Sequence, residues 1–297
     1  MDIIKYKSIF LGASVLMVAF AAYAIFSFGF HFGIDFTGGS MWQLKIKEAN
    51  SEQIKDFFMK DLQIEVSNIS FDSKSGAYSI SFKEISDAER QLNLAKLKAK
   101  FTGGVEDQDF LAISPSVSDE IKQKAMLAIA FVMFGISLYI AFVFRKVSRP
   151  ISSWKYGIIT LITLIHDVVI PAGVFAILSK YLGVSLDSNF IVALLVVMGF
   201  SVHDTIVVFD RIRENLLKTR NKNLQEIVNA SVNETLRRSI NTSLTIIIVM
   251  AALYFLGPAN LKFFILTMLI GTTVGTYSSI FVASPLLVVF QKLFGSR

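Results

Sequence analysis

The sequence predicts an α-helical polytopic membrane protein, with six transmembrane helices and one small exported α+β ferredoxin-like domain between the first and second. Two observations predict this class. Of the 297 residues, 53% are hydrophobic and only 18% are charged, whereas soluble domains are about 25% charged. More than half of the charged side chains lie in residues 31–124, which hold 12 Lys and Arg and 15 Asp and Glu. This composition excludes a single soluble globule and a disordered chain, and the absence of cysteine excludes a disulfide scaffold.

Six apolar stretches are long enough to cross a hydrocarbon core, which takes about 20 helical residues. The first is longer than the apolar core of a signal peptide, about 7–15 residues, so we expect a retained helix. The chain then divides into an N-terminal segment with the first helix (1–30), a polar domain (31–124) and a helical bundle (125–297). The stretches are residues 8–30, 125–144, 156–179, 189–209, 239–261 and 263–291.

Basic side chains alternate between the loops in a way that predicts orientation. The formal net charge of +6 divides into −3 for residues 31–124 and +9 for the remainder. This division favours membrane orientation over nucleic-acid binding. The short loops of one side carry only Lys180 and Lys262, so both termini are predicted to be cytoplasmic and residues 31–124 to be exported. The other side carries Lys5, Lys7, Arg145, Lys146, Arg149, Lys155, Arg211, Arg213, Lys218, Arg220, Lys222, Arg237, Arg238, Lys292 and Arg297.

The polar block predicts one small domain with the order β-α-β-β-α-β of the ferredoxin-like unit. Asn50 and Ser86 are candidate helix caps, and Glu89 stands three residues after Ser86 as in a capping box. The block contains no histidine cluster, nucleophile–base pair or phosphate loop, so we expect a binding or mechanical module without metal or cofactor, and no enzyme. The predicted strands are residues 40–47, 66–71, 77–82 and 104–113, and the helices 51–62 and 86–101.

Residues 211–237 form a predicted cytoplasmic loop with an amphipathic helix. Apolar residues recur there at helical spacing, after Asn223 as a cap and with Glu226 three residues later. Two interpretations remain equally open: a helix lying on the membrane surface, or an ordinary packed connector. The apolar positions are Leu224, Ile227, Val228, Val232 and Leu236.

Asp204 is the first candidate functional residue. It stands six residues before Asp210, which places it about 9 Å inside the cytoplasmic end of the fourth span. Burying an isolated carboxylate in lipid costs at least about 2.5 kcal/mol, so Asp204 must face a helix interface, a partner or water. A carboxyl between desolvation and a nearby cation can exchange a proton. The natural cation is Arg238 at the start of the fifth span, whereas Arg237 points about 100° away. A static, paired Asp204 is the alternative.

Other polar and small residues in the spans rank below this pair. Asp167, beside His166 near the middle of the third span, is a second candidate for the proton pathway, or an anchor between two helices. His203 does not share the helix face of Asp204. Gly271 and Gly275 have the small-xxx-small spacing of close helix packing in the sixth span.

Four segments resemble the bacterial SecD/SecF export family of the resistance-nodulation-division superfamily, and specifically its SecF branch. Together they extend over essentially the whole chain, and His203 stands where the family often has Asn. The segments are residues 33–40 (GIDFTGGS), 166–168 (HDV), 199–215 (GFSVHDTIVVFDRIREN) and 234–243 (ETLRRSINTS).

The resemblance implies a non-enzymatic subunit of the bacterial inner membrane. In that family SecF pairs with SecD, associates with the SecYEG channel and uses the proton motive force to promote the late stage of translocation, after SecA has driven the preprotein in. YajC and YidC are further possible partners, and no cofactor or nucleic acid is implied. The family's proton-pathway positions correspond to Asp204 and Arg238, and Asp167 corresponds to the family's Asp in the third span.

The GIDFTGGS segment reads as a rigid junction at the membrane surface, where Gly38 and Gly39 allow a positive φ. Gly33 and Asp35 belong to the same signature, and Asp35 is expected to cap or orient the domain that follows.

Two alternatives to the export role stay open. One is a proton-driven small-molecule or lipid exporter of the same superfamily, and the other is a purely structural channel subunit with inert intramembrane charges.

Overall fold

The computed structural model describes residues 2–47, 49–72, 75–146, 151–218 and 223–294. Within these ranges the chain folds into two units. The helical unit comprises Met1–Ser27, Leu127–Phe175 and Asn189–Arg297, and the α+β unit comprises Phe28–Met126 and Ala176–Ser188. Of the basic residues that carry the orientation argument, Arg149, Arg220, Lys222 and Arg297 lie outside the described residues.

The predicted six membrane spans are confirmed, since six helical segments are long and apolar enough to cross a bilayer. They are α1, α5, α6, α7, α8 and the sixth span, in which a π-helical segment, Ser279–Ala283, joins α9 to α10. The helices are α1 Lys7–Phe28, α2 Ile34–Thr37, α3 Ser51–Lys60, α4 Asp87–Lys100, α5 Pro115–Val143, α6 Ser153–Leu182, α7 Ser188–Lys218, α8 Leu224–Leu256, α9 Lys262–Ser278 and α10 Ser284–Phe294.

The spans differ in how far they are buried inside the chain. Half or more of the apolar segments of α6, α7 and the sixth span is buried, against less than a fifth for α1, α5 and α8. The centre of the helical unit is therefore made by α6, α7 and the sixth span. Buried polar side chains on these three helices are shielded from lipid by protein, which avoids the high cost of exposing a polar or charged group to the hydrocarbon core.

Close contact between α7 and α9 depends on two glycines. A Cβ atom on Gly271 would lie 2.4 Å from Cγ2 of Val197, and a Cβ atom on Gly275 would lie 2.9 Å from Cβ of Ser201. Both distances are shorter than any real Cβ contact, so no larger side chain fits without movement of the backbones. Small residues at this spacing let membrane helices approach closely.

The region 211–237 differs from the surface-helix interpretation. Helix α7 continues to Lys218, and α8 runs without a break from Leu224 through the fifth span. Ile227, Val228 and Val232 are buried in the helical unit, so the apolar face is covered by protein. The structure therefore favours the packed-connector interpretation, because an apolar face already buried against α7 and its neighbours has no surface left for lipid.

Ionic hydrogen bonds join the ends of α7 and α8 in the same region. Arg211 Nε donates to Glu234 Oε2 at 2.5 Å, and Asn215 Nδ2 donates to the same oxygen at 2.9 Å. Asn215 also donates to Ser231 Oγ at 2.9 Å. The two helices are therefore joined close to the segment that carries Arg238.

The predicted ferredoxin-like order is confirmed in the α+β unit. Its antiparallel sheet has the order β3-β4-β2-β5, with α3 and α4 as the two crossovers. Alternate residues of β2, Trp42, Leu44 and Ile46, are buried, and Phe58 and Phe82 pack on the Trp42 ring. The strands are β1 His31–Phe32, β2 Gly39–Ile46, β3 Val66–Asp72, β4 Ala77–Phe82, β5 Val105–Ile113 and β6 Ser185–Leu186.

Both helices of this unit begin with reciprocal capping boxes. Asn50 pairs with Gln53 at α3, and Ser86 pairs with Glu89 at α4. Each pair satisfies two backbone N–H groups that the first helical turn leaves without partners. The hydrogen bond from the Ser86 backbone lowers the pKa of the exposed Glu89 carboxyl, because it stabilises the ionised form.

The α+β unit is larger than the predicted residues 31–124. Helix α5 begins at Pro115, ten residues before the expected span, because Pro is favoured at the first helical position and residues 116–124 contain no Gly or Pro. Residues 176–188, between α6 and α7, also belong to it, since β6 pairs in parallel with β1.

Replacing Gly271 with Ala is expected to destabilise the helical unit by about 1–3 kcal/mol, because the new methyl group overpacks against Val197. The measurement is the thermal midpoint of the purified chain in detergent. Gly199→Ala on α7 is the matched control, since a Cβ atom there meets nothing within 4 Å. Equal midpoints for the two variants would contradict the packing argument.

Candidate functional site

Two carboxylates are buried within the spans. Asp167 on α6 is fully buried, and Asp204 on α7 is 2% exposed. Because a bilayer offers no water at this depth, each carboxylate needs hydrogen-bond donors from the protein. The polar groups around them are the imidazole of a neighbouring histidine and hydroxyls on α7, α8 and α9.

Both oxygens of Asp167 lie within hydrogen-bond distance of a polar side chain. Ser278 Oγ donates to Oδ2 at 2.7 Å, and Ser201 Oγ donates to the same oxygen. Nδ1 of His166 lies 2.8 Å from Oδ1. One side chain of α6 is thereby bonded to α7 through Ser201 and to the end of α9 through Ser278, where the π-helical segment begins.

Asp204 has a weaker set of neighbours. Ser243 Oγ on α8 lies 3.2 Å from Asp204 Oδ2, within donating distance. Thr276 Oγ1 on α9 donates to Ser243 Oγ at 2.6 Å. A chain of hydroxyls therefore runs from α9 through α8 to the α7 carboxylate.

The polar residues around Asp167 and those around Asp204 are neighbours on α7 and on α9. Ser201 and Asp204 are three residues apart and share one face of α7. Thr276 and Ser278 lie on the same helical segment, beside Gly275. We call Asp167, Ser201, Asp204, Ser243, Thr276 and Ser278 the polar cluster. It connects four helices of the unit through side-chain oxygens.

Arg238 and Arg237 are both exposed in the chain alone. Among the described residues, Arg238 makes no ion pair with Asp204 within 4 Å. The inward face of α8 is instead occupied by Ser239 and Ser243, both buried. Arg238 precedes Ser239 by one position, which turns it about 100° from that face. The two side chains therefore form no ion pair among the described residues, although Arg238 lies close enough to Asp204 to act on it electrostatically.

The two histidines that neighbour the carboxylates differ in exposure. His203 beside Asp204 is exposed, in agreement with its different helix face. His166 is 5% exposed and lies against the Tyr277 ring, with ring centroids 6.4 Å apart.

Sequence reasoning did not identify Ser201, Thr276 or Ser278 as neighbours of the carboxylates. The spacing of Ser201 three residues before Asp204 was the available signal. The Ser and Thr residues of the sixth span carried none, because helical spacing alone does not say which helix faces which.

Residues 33–40, the signature loop, are held by backbone and side-chain bonds within the α+β unit. The N–H of Gly33 donates to the carbonyl of Leu186 at 2.8 Å. Gly38 and Gly39 have φ values of +72° and +116°, and a Cβ atom on Gly39 would lie 2.4 Å from the Phe82 carbonyl oxygen. Only glycine fits these two positions without strain.

Asp35 lies at the beginning of α7. The N–H of Ser188 donates to Asp35 Oδ2 at 2.7 Å, and the Ser188 hydroxyl donates to the same oxygen. A carboxylate is favourable there, because the first N–H groups of a helix lack partners and carry partial positive charge. Asp35 therefore caps the helix that carries Asp204.

Among the described residues, no three His, Cys, Asp or Glu side chains are grouped so as to hold a metal ion. The polar cluster supplies two carboxylates and four hydroxyls within protein-shielded helices. Its available chemistry is proton binding and hydrogen-bond rearrangement.

Two family models match the sequence. The C-terminal region of the protein export membrane proteins SecD/SecF matches residues 93–293, and the SecD/SecF GG motif matches residues 23–49. Protein translocase subunit SecF of Thermobaculum terrenum is 41% identical over 98% of this chain and 94% of its own length.

Longer relatives contain the same region as a part. Protein translocase subunit SecDF of Brucella abortus is 32% identical over 96% of this chain but 36% of its own length. The crystal structure of SecDF from Thermus thermophilus, a translocon-associated membrane protein, is similar with a TM-score of 0.84 and 30% identity. The similarity covers 98% of this chain and 39% of that one. The chain thus spans less than half of these SecDF relatives.

Replacing Asp35 with Ala removes the carboxylate from the first turn of α7. The loss of a helix cap costs about 1 kcal/mol, so amide hydrogen exchange in residues 188–191 should become about fivefold faster. Hydrogen exchange of the full chain, read by mass spectrometry, measures this. Asp119→Ala, which removes an exposed carboxylate on α5, is the control and should leave these amides unchanged. Unchanged exchange in Asp35→Ala would contradict the capping role.

Proposed function

The chain belongs to the SecD/SecF family of protein export membrane proteins, and on that premise we propose that it is a proton-driven subunit of bacterial Sec-dependent protein export. The role is transport and not catalysis, as the translocase names of its relatives support. It acts in the late stage of translocation, when a preprotein already inside the channel is drawn outward.

SecD is the first partner in this proposal. Relatives in which SecD and SecF form one SecDF chain support it, because the region similar to this chain fills 36–37% of their length. The exposed faces of α1, α5 and α8, which make up most of these three helices, offer apolar surface for such a partner within the bilayer. The SecYEG channel is the second partner, with SecA and the preprotein acting through it, and YajC and YidC as accessory proteins.

The proposed site of energy coupling is Asp204, and its burial carries the proposal. A carboxylate that is 2% exposed, with Ser243 at 3.2 Å as its nearby donor, is poorly stabilised when ionised. Binding a proton removes that charge, and losing it restores the need for donors. Each change alters which hydroxyls of α8 and α9 point to α7. Asp167 is the second member of the proton pathway.

Arg238 is the proposed counter-charge of ionised Asp204. It stands at the start of the fifth span, one turn before the Thr242 and Ser243 positions, and has a side chain long enough to change direction. Here Arg238 is exposed and forms no ion pair with Asp204, and the Ser243 hydroxyl lies within donating distance of the carboxyl. Deprotonation then draws Arg238 toward Asp204.

The energy available is sufficient for such a step. One charge moving through 100 mV releases about 2.3 kcal/mol, comparable to the cost of burying a carboxylate at this depth, about 2.5 kcal/mol or more. In the proposed orientation both termini are cytoplasmic, the α+β unit is exported, and the chain lies in the bacterial inner membrane. Protons then enter from the exported side.

A purely structural role is the second candidate, and the bonding of Asp167 favours it. This carboxylate is bonded to Ser201 and Ser278 on two other spans, which is the arrangement of a static anchor. In that case the intramembrane charges hold the helices together, and the chain is a scaffold for its partners.

Asp204→Asn tests the coupling role, because the amide keeps the size and polarity of the carboxyl but binds no proton. We expect the part of preprotein export that depends on the proton gradient to fall at least tenfold, with SecD assembly unchanged. The measurement is export completion in membrane vesicles, with and without a gradient. Asp210→Asn is the matched control on the same helix, since Asp210 is exposed and should be replaceable.

Normal gradient-dependent export in Asp204→Asn would reject the coupling role and leave the structural one. Loss of SecD assembly in Asp204→Asn would also favour the structural role. Loss of the gradient-dependent part alone supports the proposal.

The two neighbouring arginines provide a second matched comparison. Arg238→Gln is expected to lose most of the gradient-dependent export, whereas Arg237→Gln should keep at least half of it. Both residues are exposed in the chain alone, so burial does not distinguish them and only the counter-charge role does. Equal activities in the same vesicle assay would refute the assignment of Arg238.

A further inference from the structure

His166 is a buried imidazole with one unpartnered nitrogen. The residue is 5% exposed, and its Nδ1 lies 2.8 Å from Asp167 Oδ1. Its Nε2 is buried and has no hydrogen-bond partner among the described residues. A buried polar atom without a partner is costly and needs an explanation.

The pair of side chains has two places for protons. One is the hydrogen bond between Nδ1 and Asp167 Oδ1, and the other is Nε2. When the His166–Asp167 pair holds one proton, a neutral imidazole lies beside a carboxylate and the pair has a charge of −1. A second proton on Nε2 gives an imidazolium beside a carboxylate, and the net charge of the pair is then zero. In a low-dielectric interior the neutral state is favoured when a proton is available. Nε2 is the position of the pair that has no hydrogen-bond partner in the described part of the chain, so it is available for that second proton.

The groups that face His166 support this assignment. On its own helix the neighbour is Asp167, whose other oxygen is held by Ser201 of α7 and Ser278 of α9. The Tyr277 ring lies beside the imidazole, and its hydroxyl donates to the Phe10 carbonyl of α1.

Two exposed side chains, His203 and Arg238, lie close enough to the cluster to act electrostatically on Asp204. The other carboxyl is Asp204, three residues from Ser201. Arg238 is exposed and makes no ion pair with either carboxylate in the described part of the chain. Among the described residues, Asp167 has no Lys or Arg within ion-pair distance, and His166 is its one neighbour that can become charged.

We propose that His166 binds and releases a proton on Nε2, with Asp167 as its fixed counter-ion, and so forms a second proton-binding site beside Asp204. The binding of a proton by His166 does not depend on the proposed function; only the coupling of that proton to protein export rests on it. When Nε2 is protonated, the Asp167 carboxylate forms an ion pair with the imidazolium. When the proton leaves, Asp167 depends more strongly on Ser201 and Ser278, which tightens the contact between α6, α7 and the start of the π-helical segment.

The binding of the proton is tested directly by ¹⁵N nuclear magnetic resonance of histidine. The chain contains three histidines, His31, His166 and His203, so labelled histidine gives a small, assignable set of signals. The sample is the full chain reconstituted with SecD in liposomes, and His166→Asn identifies the signal that disappears. We expect the His166 signal to change between its neutral and imidazolium forms within pH 5–9, and this midpoint to move to lower pH in Asp167→Asn. A His166 ring that keeps one protonation state throughout pH 5–9 would overturn the proposal.

His166→Asn also separates proton binding from a structural role. The Asn amide can donate to Asp167 in place of Nδ1–H but has nothing in place of Nε2. We expect gradient-dependent export to fall at least fivefold, with SecD assembly and thermal midpoint unchanged. His203→Asn is the matched control, because His203 is exposed, and it should keep normal export.

The two proposals fail in different ways. Normal export in His166→Asn together with loss in Asp204→Asn would reject the second site and leave the proposed function intact. Normal export in both variants would reject proton coupling altogether, while the resonance titration would still decide whether His166 binds a proton.

Discussion

The absence of water in a hydrocarbon core is the constraint from which the helical unit is best understood. Asp167 and Asp204 cannot be left without donors there, because an unpaired carboxylate costs several kcal/mol. Their donors are serine hydroxyls on other spans and the imidazole of His166. The faces of α6, α7, α8 and α9 that meet are therefore ones that supply donors to the two buried carboxylates.

Close approach of backbones makes these bonds possible. Serine side chains are short, so donor and acceptor helices must be nearly in contact, and Gly271 and Gly275 allow this by leaving α9 without side chains at α7. In the α+β unit, Gly39 likewise permits a close backbone approach, here to the Phe82 carbonyl. Asp35, in the same signature loop, caps α7. One helix therefore carries the capped end at Ser188 and the buried carboxylate sixteen residues later.

Much of the fold follows from local pattern. Apolar stretches of about 20 residues indicate membrane helices. Alternation in β2, a helix cap at Asn50 and a capping box at Ser86 indicate the elements of a small α+β domain. The cost of a charge in lipid also singles out Asp167 and Asp204 from the sequence alone. Positive-inside counting predicts an orientation. The predictions of the spans and of the α+β domain are confirmed, because each depends on neighbours within a few residues along the chain, whereas the orientation stays a prediction.

The sequence by itself determined six spans, a ferredoxin-like domain and two costly carboxylates. Only the tertiary structure decided that Ser201 and Ser278 hold Asp167, that Ser243 rather than an ion-paired Arg238 lies within hydrogen-bond distance of Asp204, and that the apolar face after Asn223 is covered by protein. The physical reason is that a helix presents every direction around its axis. Which direction faces a neighbour depends on the packing of all the helices together, and one helix's periodicity does not contain that information.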